Sequence, residues 1–342
     1  MAQRVTIQDL ADQLGLSKFS VSRALSGKPG VGDATRSRVL RAAHALGYRL
    51  NPELSHPAGQ ILFVRQEIDL VSSEMWLNVQ HGAESEAERL GYRIVPRQAR
   101  YLRDADLEPA VVGLILAVPR VNEVTDLAAR VGLPTVLATY TEPESRFDHV
   151  VCADWEAGVA VGRMLAGLGH RQVAFVHGST VPTGRTERLR GFRDGMLETH
   201  GARVDDIVFD EVLGFGHAFR NHLRQGAAPT ALFCAHDGIA VNAMSELMRL
   251  GVSVPDDISV VGFSDFAVAT QISPRLTSVR VPHVEIGASM VRLIADRLAS
   301  PEGSARPPIR VGLTAEIVRR ESTGPARAPH WADRFAGLIE PA

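Results

Sequence analysis

Apolar and polar positions follow two different periods along the 342-residue chain, and the change comes near residue 60. Before it, the period is helical. Ile7, Leu10, Ala11 and Leu14 share one face of a helix that begins after Thr6, and Gly15 ends it. Ser17 can cap a second helix whose Val21 and Leu25 turn inward, which leaves Lys18, Phe19, Ser22 and Arg23 facing water. Gly27, Pro29 and Gly30 break the chain, and Val39, Ala42, Ala43 and Leu46 form the apolar stripe of a third helix closed by Gly47. A helix that shows water a Lys, a Phe and an Arg is equipped for nucleic acid.

Asn51 can then cap a helical turn that starts at Pro52, and Pro57 stops it. Beyond it, short apolar runs at 60–65, 92–95, 111–118, 134–139 and 149–152 read as strands, with helices over 75–90 and 122–130. The alternation repeats with helices over 155–168, 187–200 and 238–250 and strands at 172–177, 207–209, 230–234 and 258–262. Near-continuous apolar strands alternating with amphipathic helices predict parallel sheets covered on both faces. Two such series in tandem predict two lobes, with the loops after Arg65, His177, Cys234 and Gly262 lining the cleft between them. The helix over 284–298 and strand pieces near 310–313 and 316–319 are expected to return toward the first lobe. The expected division is a helical head over 1–49, a linker over 50–60, an α/β body of two lobes over 61–322 and a tail over 323–342. That tail is rich in Pro and Ala, with one amphipathic turn at 331–338 and no assigned role.

Charge sharpens this picture. The first fifty residues carry eight basic against three acidic side chains, a net charge of +5, which leaves −7 for the remainder of a chain whose total is −2. A basic module on a mildly acidic body suits phosphate binding by the module alone, although a solvated surface would read the same way. Cys152 and Cys234 are the only cysteines, each in an apolar strand-like run, which predicts reduced core thiols and neither a disulfide nor a metal site. No apolar run has the length of a membrane span, and the N-terminus lacks the apolar core of a signal peptide, so a cytoplasmic protein without membrane association is expected. There is no GxSxG, HExxH or GxxxxGK, and the twelve histidines are scattered, so an enzyme would need an unrecognised site. No cofactor is expected. A stand-alone solute-binding protein would share the lobes but have no basic head.

The runs VTIQDLADQLGLSKFSVSRALSG, TRSRVLRAAHALGY, LGHRQVAFVHG, RLRGFRDGM, PTALFCAHDGIAVNAMSELMRLGVSVPDDISVVGFSD and RRES, in this order and spacing, resemble the lactose-repressor (LacI) family of bacterial transcription regulators over about residues 4–322. The resemblance implies a helix-turn-helix head followed by a periplasmic-binding-protein-like core of two lobes with parallel sheets. It also implies a homodimer or tetramer, a pseudo-palindromic double-stranded operator and a small-molecule effector bound between the lobes. Such a protein is a regulator, and commonly a repressor, whose operator binding the effector controls; induction and corepression use the same architecture.

The resemblance assigns roles to particular residues. In the head, Lys18, Phe19 and Arg23 fall where base edges are read, Arg suiting guanine and Phe a thymine methyl. Thr6, Ser17, Ser20, Ser22, Thr35 and Tyr48 fall at phosphate-contact positions, where capping is the competing use of Thr or Ser. In the linker, Asn51 and Leu54 match a hinge helix, but Pro57 stands where relatives carry a leucine that wedges into the minor groove, so the usual kinked-operator mechanism is in doubt. At the cleft, Arg188, His236, Asp237, Ser264 and Asp265 fall at the mouth, Phe215 falls where relatives offer an aromatic platform, and Gln66 and Trp76 can line the first lobe. Trp76 could equally serve packing, and Asp237 could cap the helix it precedes. The family more often has Asn at the position of His236 and Asp at that of Ser264. An Arg, a carboxylate and an aromatic face suit sugars, sugar acids or nucleobases, a nucleobase-responsive corepressed regulator being the alternative to a sugar-responsive one.

Overall fold

The computed structural model describes residues 5–25, parts of 30–48, and 59–66, 73–107, 109–117, 122–138, 144–179, 183–210, 212–226, 228–300 and 306–332. The expected hinge residues Asn51, Leu54 and Pro57 lie outside the described residues.

The head begins with α1 (Ile7–Leu14), and Thr6 caps it: its hydroxyl accepts from the Asp9 amide at 3.3 Å while the Asp9 carboxylate accepts from the Thr6 amide at 2.7 Å. Gly15 closes the helix at φ 64°, a left-handed position that costs glycine nothing. In α2 (Lys18–Leu25), the Ser17 hydroxyl accepts from the Ser20 amide at 3.0 Å. Leu10, Ala11, Val21, Ala24, Leu25, Val39 and Ala43 form one small core. Leu46, expected to share that stripe, is exposed.

Among the described residues, two six-stranded sheets make the body. In the first, β1 (Gln60–Arg65), β2 (Arg93–Gln98), β3 (Val111–Ala117), β4 (Thr135–Ala138), β5 (Asp148–Cys152) and β11 (Arg310–Leu313) lie in the order β11-β5-β4-β3-β1-β2, all parallel. In the second, β6 (Gln172–Gly178), β7 (Arg203–Phe209), β8 (Ala231–Cys234), β9 (Ser259–Ser264), β10 (Thr277–Arg280) and β12 (Glu316–Val318) lie in the order β12-β10-β9-β8-β6-β7, with only β12 antiparallel. The helices are α3 (Ser73–Leu90), α4 (Asn122–Val131), α5 (Asp154–Gly167), α6 (Thr183–Leu197), α7 (Gly214–Arg224), α8 (Asp237–Arg249), the single turn α9 (Val268–Gln271) and α10 (His283–Ala299).

The chain passes between the lobes three times: from β5 to α5, from β10 to α10, and from β11 to β12. Each passage leaves a strand at its carboxyl end. Because the neighbouring strands are parallel, the carboxyl ends of both sheets open toward the space between the lobes. The helix α10 returns to the first lobe as expected, held by Arg297, which donates to both oxygens of buried Asp148 at 2.9 and 2.6 Å. One expectation fails: β12 pairs with β10 in the second sheet, since Ser278 to Arg280 present a free edge that Glu316 to Val318 complete.

Two helix pairs approach so closely that only glycine fits. A Cβ on Gly287 of α10 would lie 1.9 Å from the Val79 carbonyl of α3, and one on Gly191 of α6 would lie 2.0 Å from the Trp155 carbonyl of α5. The tail is structural as far as residue 332. The Ala326 amide donates to Leu168, Arg327 pairs with Asp256 at 2.9 Å, and buried Trp331 stacks on Phe219 of α7 with ring centroids 6.0 Å apart. Truncating this ring empties a core site, so Trp331→Ala is expected to lower the unfolding free energy by about 3–5 kcal/mol, read from urea denaturation; a loss below 1 kcal/mol would show that the tail is not part of the core.

Candidate functional site

In the head, the outward face of α2 is as expected for Lys18, Phe19 and Ser22, which are exposed, with Phe19 68% accessible. Arg23 is only half-buried, because its guanidinium carbon lies 5.2 Å from the centre of the Phe19 ring. The Thr6 and Ser17 hydroxyls cap helices, Ser20 shares a 2.8 Å contact with Ser17, Thr35 is half-buried, and Tyr48 packs on the head core.

At the cleft, two clusters form around strand carboxyl ends. In the first, Arg188 of α6 donates from Nε to Asp154 at 2.7 Å and from Nη1 to the Ala235 carbonyl, and its guanidinium lies 3.7 Å over the Phe263 ring. Asp154 opens α5 at the first passage between lobes, so the pair ties α6 to the hinge. Burial raises the Asp154 carboxyl above its ordinary range, and the Arg188 charge opposes that rise. Burial likewise lowers buried His283, at the second passage, to about 4, assisted by the Arg188 charge, which leaves the imidazole neutral at pH 7. Its ring stacks on Phe266 at 5.7 Å.

The second cluster is built on Asp237. This carboxylate is fully buried and accepts from the Ser278 hydroxyl at 2.5 Å and from the Phe266 amide at 2.6 Å. Burial pushes its carboxyl up to about 7, against the lowering effect of those two donors. Asp265 accepts from Arg280 at 2.9 Å and pairs with Arg320 at 2.7 Å. Between them, Ser264 at φ 108° and Asp265 at φ 54° hold left-handed backbone that ordinary residues resist. The strained turn turns its next two amides to two carboxylates. Phe266 donates inward to Asp237, and Ala267 donates at 3.0 Å to Glu74, at the start of α3 in the first lobe.

These contacts revise the expected cleft residues. Phe215 is not a platform: it is buried in the core, 1% exposed and stacked on Phe219 at 5.2 Å, because α7, which the sequence pattern did not reveal, turns it inward. Asp237 does not cap α8. His236 does, accepting from the Ile239 amide at 3.3 Å, while Asp237 is the first helical residue and holds the turn. Asp265 is committed to two arginines, and Ser264 is buried at the end of β9. Gln66 is exposed just beyond β1, and Trp76 is half-buried against the core on α3. Asp154, Phe263, His283 and Glu74 had no sequence signal beyond their places at element ends. Two surface hollows of the second lobe, of about 310 and 510 Å³, are lined by none of the expected effector residues. Among the described residues there is no cluster of three His, Cys, Asp or Glu side chains able to hold a metal ion, and no helix is long and apolar enough to cross a membrane.

A helical head whose α2 shows an exposed, partly cationic face, followed by two α/β lobes that open on a hinge, defines a DNA-binding regulator of the periplasmic-binding-protein-like type. Comparison agrees at both ends: residues 6–51 match the family described as bacterial regulatory proteins, lacI family, and residues 163–323 match the periplasmic binding protein-like domain. The chain thus carries a lacI-family DNA-binding head and a periplasmic-binding-protein-like body, the two domains of lactose-repressor-type bacterial transcriptional regulators. It is 27% identical over 341 residues to the HTH-type transcriptional regulator DegA of Bacillus subtilis (strain 168), covering 94% of this chain and 99% of that protein. It is 27% identical over 337 residues to the transcriptional repressor PurR of Vibrio cholerae serotype O1 (strain M66-2), covering 93% and 97%. The structure of the transcriptional regulator CelR in complex with cellobiose is 27% identical, with a TM-score of 0.66 over 93% of this chain and all of that one.

A carboxyl held near 7 in the fold but near 3.8 in the unfolded chain binds its proton more tightly when folded, so it favours the fold at low pH and loses that contribution as pH rises from about 4 to 7. Wild-type stability measured by urea unfolding is therefore expected to fall across that window relative to Asp237→Asn. Parallel pH profiles for the two proteins would contradict the assignment.

Proposed function

We propose that the chain is a homodimeric repressor, with no enzymatic activity, whose affinity for a pseudo-palindromic operator is set by a small polar ligand bound between the lobes at Arg188. The observation that carries this is the Arg188 cluster. A guanidinium is fixed at the hinge by Asp154, the Ala235 carbonyl and the Phe263 face, so its Nη2 edge is oriented without further ordering cost. Arg188, His236 and Ser264 from the second lobe, with Gln66 and Trp76 from the first, form the proposed contact set. Phe215, Asp237 and Asp265 are left out of it because other contacts engage them. A sugar fits first, since CelR, a relative of known structure, holds cellobiose. A nucleobase-responsive corepressed regulator is the second reading, supported by the neutral His283–Phe266 stack.

Dimerisation is supported by the apolar hollow between α8 and α9, where Met244, Val252, Val254 and Ile272 line the walls and Met248 is 71% exposed. The C-terminal segment beyond residue 332 is left without a role in this proposal.

The test is a thermal-shift screen of sugars, sugar acids and nucleobases against the full chain, repeated on Arg188→Lys, which keeps a cation beside Asp154 but loses the planar fork. A ligand at about 100 times its dissociation constant raises stability by roughly 2.7 kcal/mol. Arg188→Lys is expected to weaken that ligand at least about tenfold while ligand-free operator binding is unchanged. An identical titration in the variant would move the site elsewhere.

A further inference from the structure

The sequence offers Phe19 as a reader of a thymine methyl in its own right, but the structure turns the ring to another use. Phe19 and Arg23 stand four residues apart on α2, so their side chains meet on one helix face. The guanidinium carbon of Arg23 lies 5.2 Å from the ring centroid, within cation–π range. The same guanidinium lies beside Gly30. A Cβ built on Gly30 would sit 3.4, 3.5 and 3.6 Å from Nη2, Cζ and Nε, and Gly30 holds φ 101°, which favours glycine. A flexible cation on a three-methylene stem thus rests against an aromatic face and beside Gly30.

We infer that Phe19 is a positioning residue for DNA reading: its ring fixes the Arg23 guanidinium for a bidentate contact with one guanine in each half-site. The inference rests on the head reading DNA. Its physical basis is entropy and geometry. An unsupported arginine must give up rotamer freedom on docking, and a bidentate pair tolerates little angular error. A stacked arginine has given up that freedom already, and Phe19, 68% exposed, has little packing of its own to lose. Lys18, exposed and outside this contact, is left to the phosphate backbone or a neighbouring base.

The two roles for Phe19 separate by base position. A thymine reader changes preference at its own base pair, whereas a positioning residue changes it at the pair that Arg23 reads. The experiment selects binding sites for the full-length chain from a randomised double-stranded DNA library. Affinities are then measured on the selected site and on its single-base-pair variants for wild type, Phe19→Leu, Phe19→Tyr, Arg23→Ala and the Phe19→Leu/Arg23→Ala double variant. Discrimination at one G·C pair is expected to vanish in Arg23→Ala and to fall about fivefold in Phe19→Leu. Phe19→Tyr, which keeps a ring, should retain it, and the double variant should be no worse than Arg23→Ala. Loss at a different base pair, equal weakening on all sequences, or additive losses in the double variant would each overturn the positioning role while leaving DNA reading intact. If wild type enriches no site at all, the reading of the head fails first. Helicity and melting of each variant, expected to match wild type because Phe19 is exposed, distinguish lost contact from lost fold, and a melted Phe19→Leu head with an intact Phe19→Tyr head would overturn the inference in favour of a structural ring.

Discussion

A buried carboxylate with no cation directly paired to it, Asp237, fixes the turn through which the second lobe meets the first. Its two oxygens take a hydroxyl from β10 and an amide from the turn after β9. Gly262 lies so close that a Cβ there would sit 2.2 Å from the carboxylate. Two consecutive non-glycine residues in left-handed backbone cost of order 1–3 kcal/mol each. That strain persists only because Asp237, Ser278, Arg280 and Arg320 hold both sides of it. What the strain achieves is aim: one amide points into the lobe and the next points across to Glu74. The carboxylates that resemblance placed at a ligand are, in this chain, the scaffold of a contact between lobes.

Arg188 complements this arrangement from the other side of β9. It sits on Phe263, one residue before the strained turn, and grips Asp154, where the chain first crosses between lobes. In the proposed reading, a ligand engaging Arg188 acts on an element already tied to the hinge, a short distance along the backbone from the Glu74 contact. Coupling of a cleft to a distant head requires an element with two arrangements that both sites bias. The 264–267 turn and its Glu74 partner are the structural place where such a bias can be applied.

Much of this was legible in the residues. The capping box at Thr6, the closing glycine at 15 and the apolar stripes of α1 and α2 are local, and local signals carry through to structure. The parallel sheets were legible as continuous apolar strands. The strand β12 is expected in the first lobe and lies in the second, because its three residues, Glu-Ile-Val, do not reveal which sheet edge they complete. Phe215 departs from the expected platform because α7 turns its ring inward, and α7 itself is polar enough to hide among loop residues. A family position shows where the Asp237 and Asp265 carboxylates lie along the chain, not whether Ser278, Arg280 or Arg320 reach them from elements 15 to 55 residues distant. The tail was silent for the same reason: Trp331 gains meaning only against Phe219.

The central claim is that lobe arrangement across the Glu74–Ala267 contact governs operator affinity. It can be tested without knowing the ligand, by placing Cys at 74 and at 267 and bridging them with a short thiol cross-linker. The native thiols, Cys152 and Cys234, are held protonated by burial and leave the pair free to react alone. Operator binding by the full chain, followed by fluorescence anisotropy on its own selected site, is expected to differ between bridged and unbridged protein by about 5- to 150-fold, the range of typical allosteric couplings. Equal affinities before and after bridging would contradict the account.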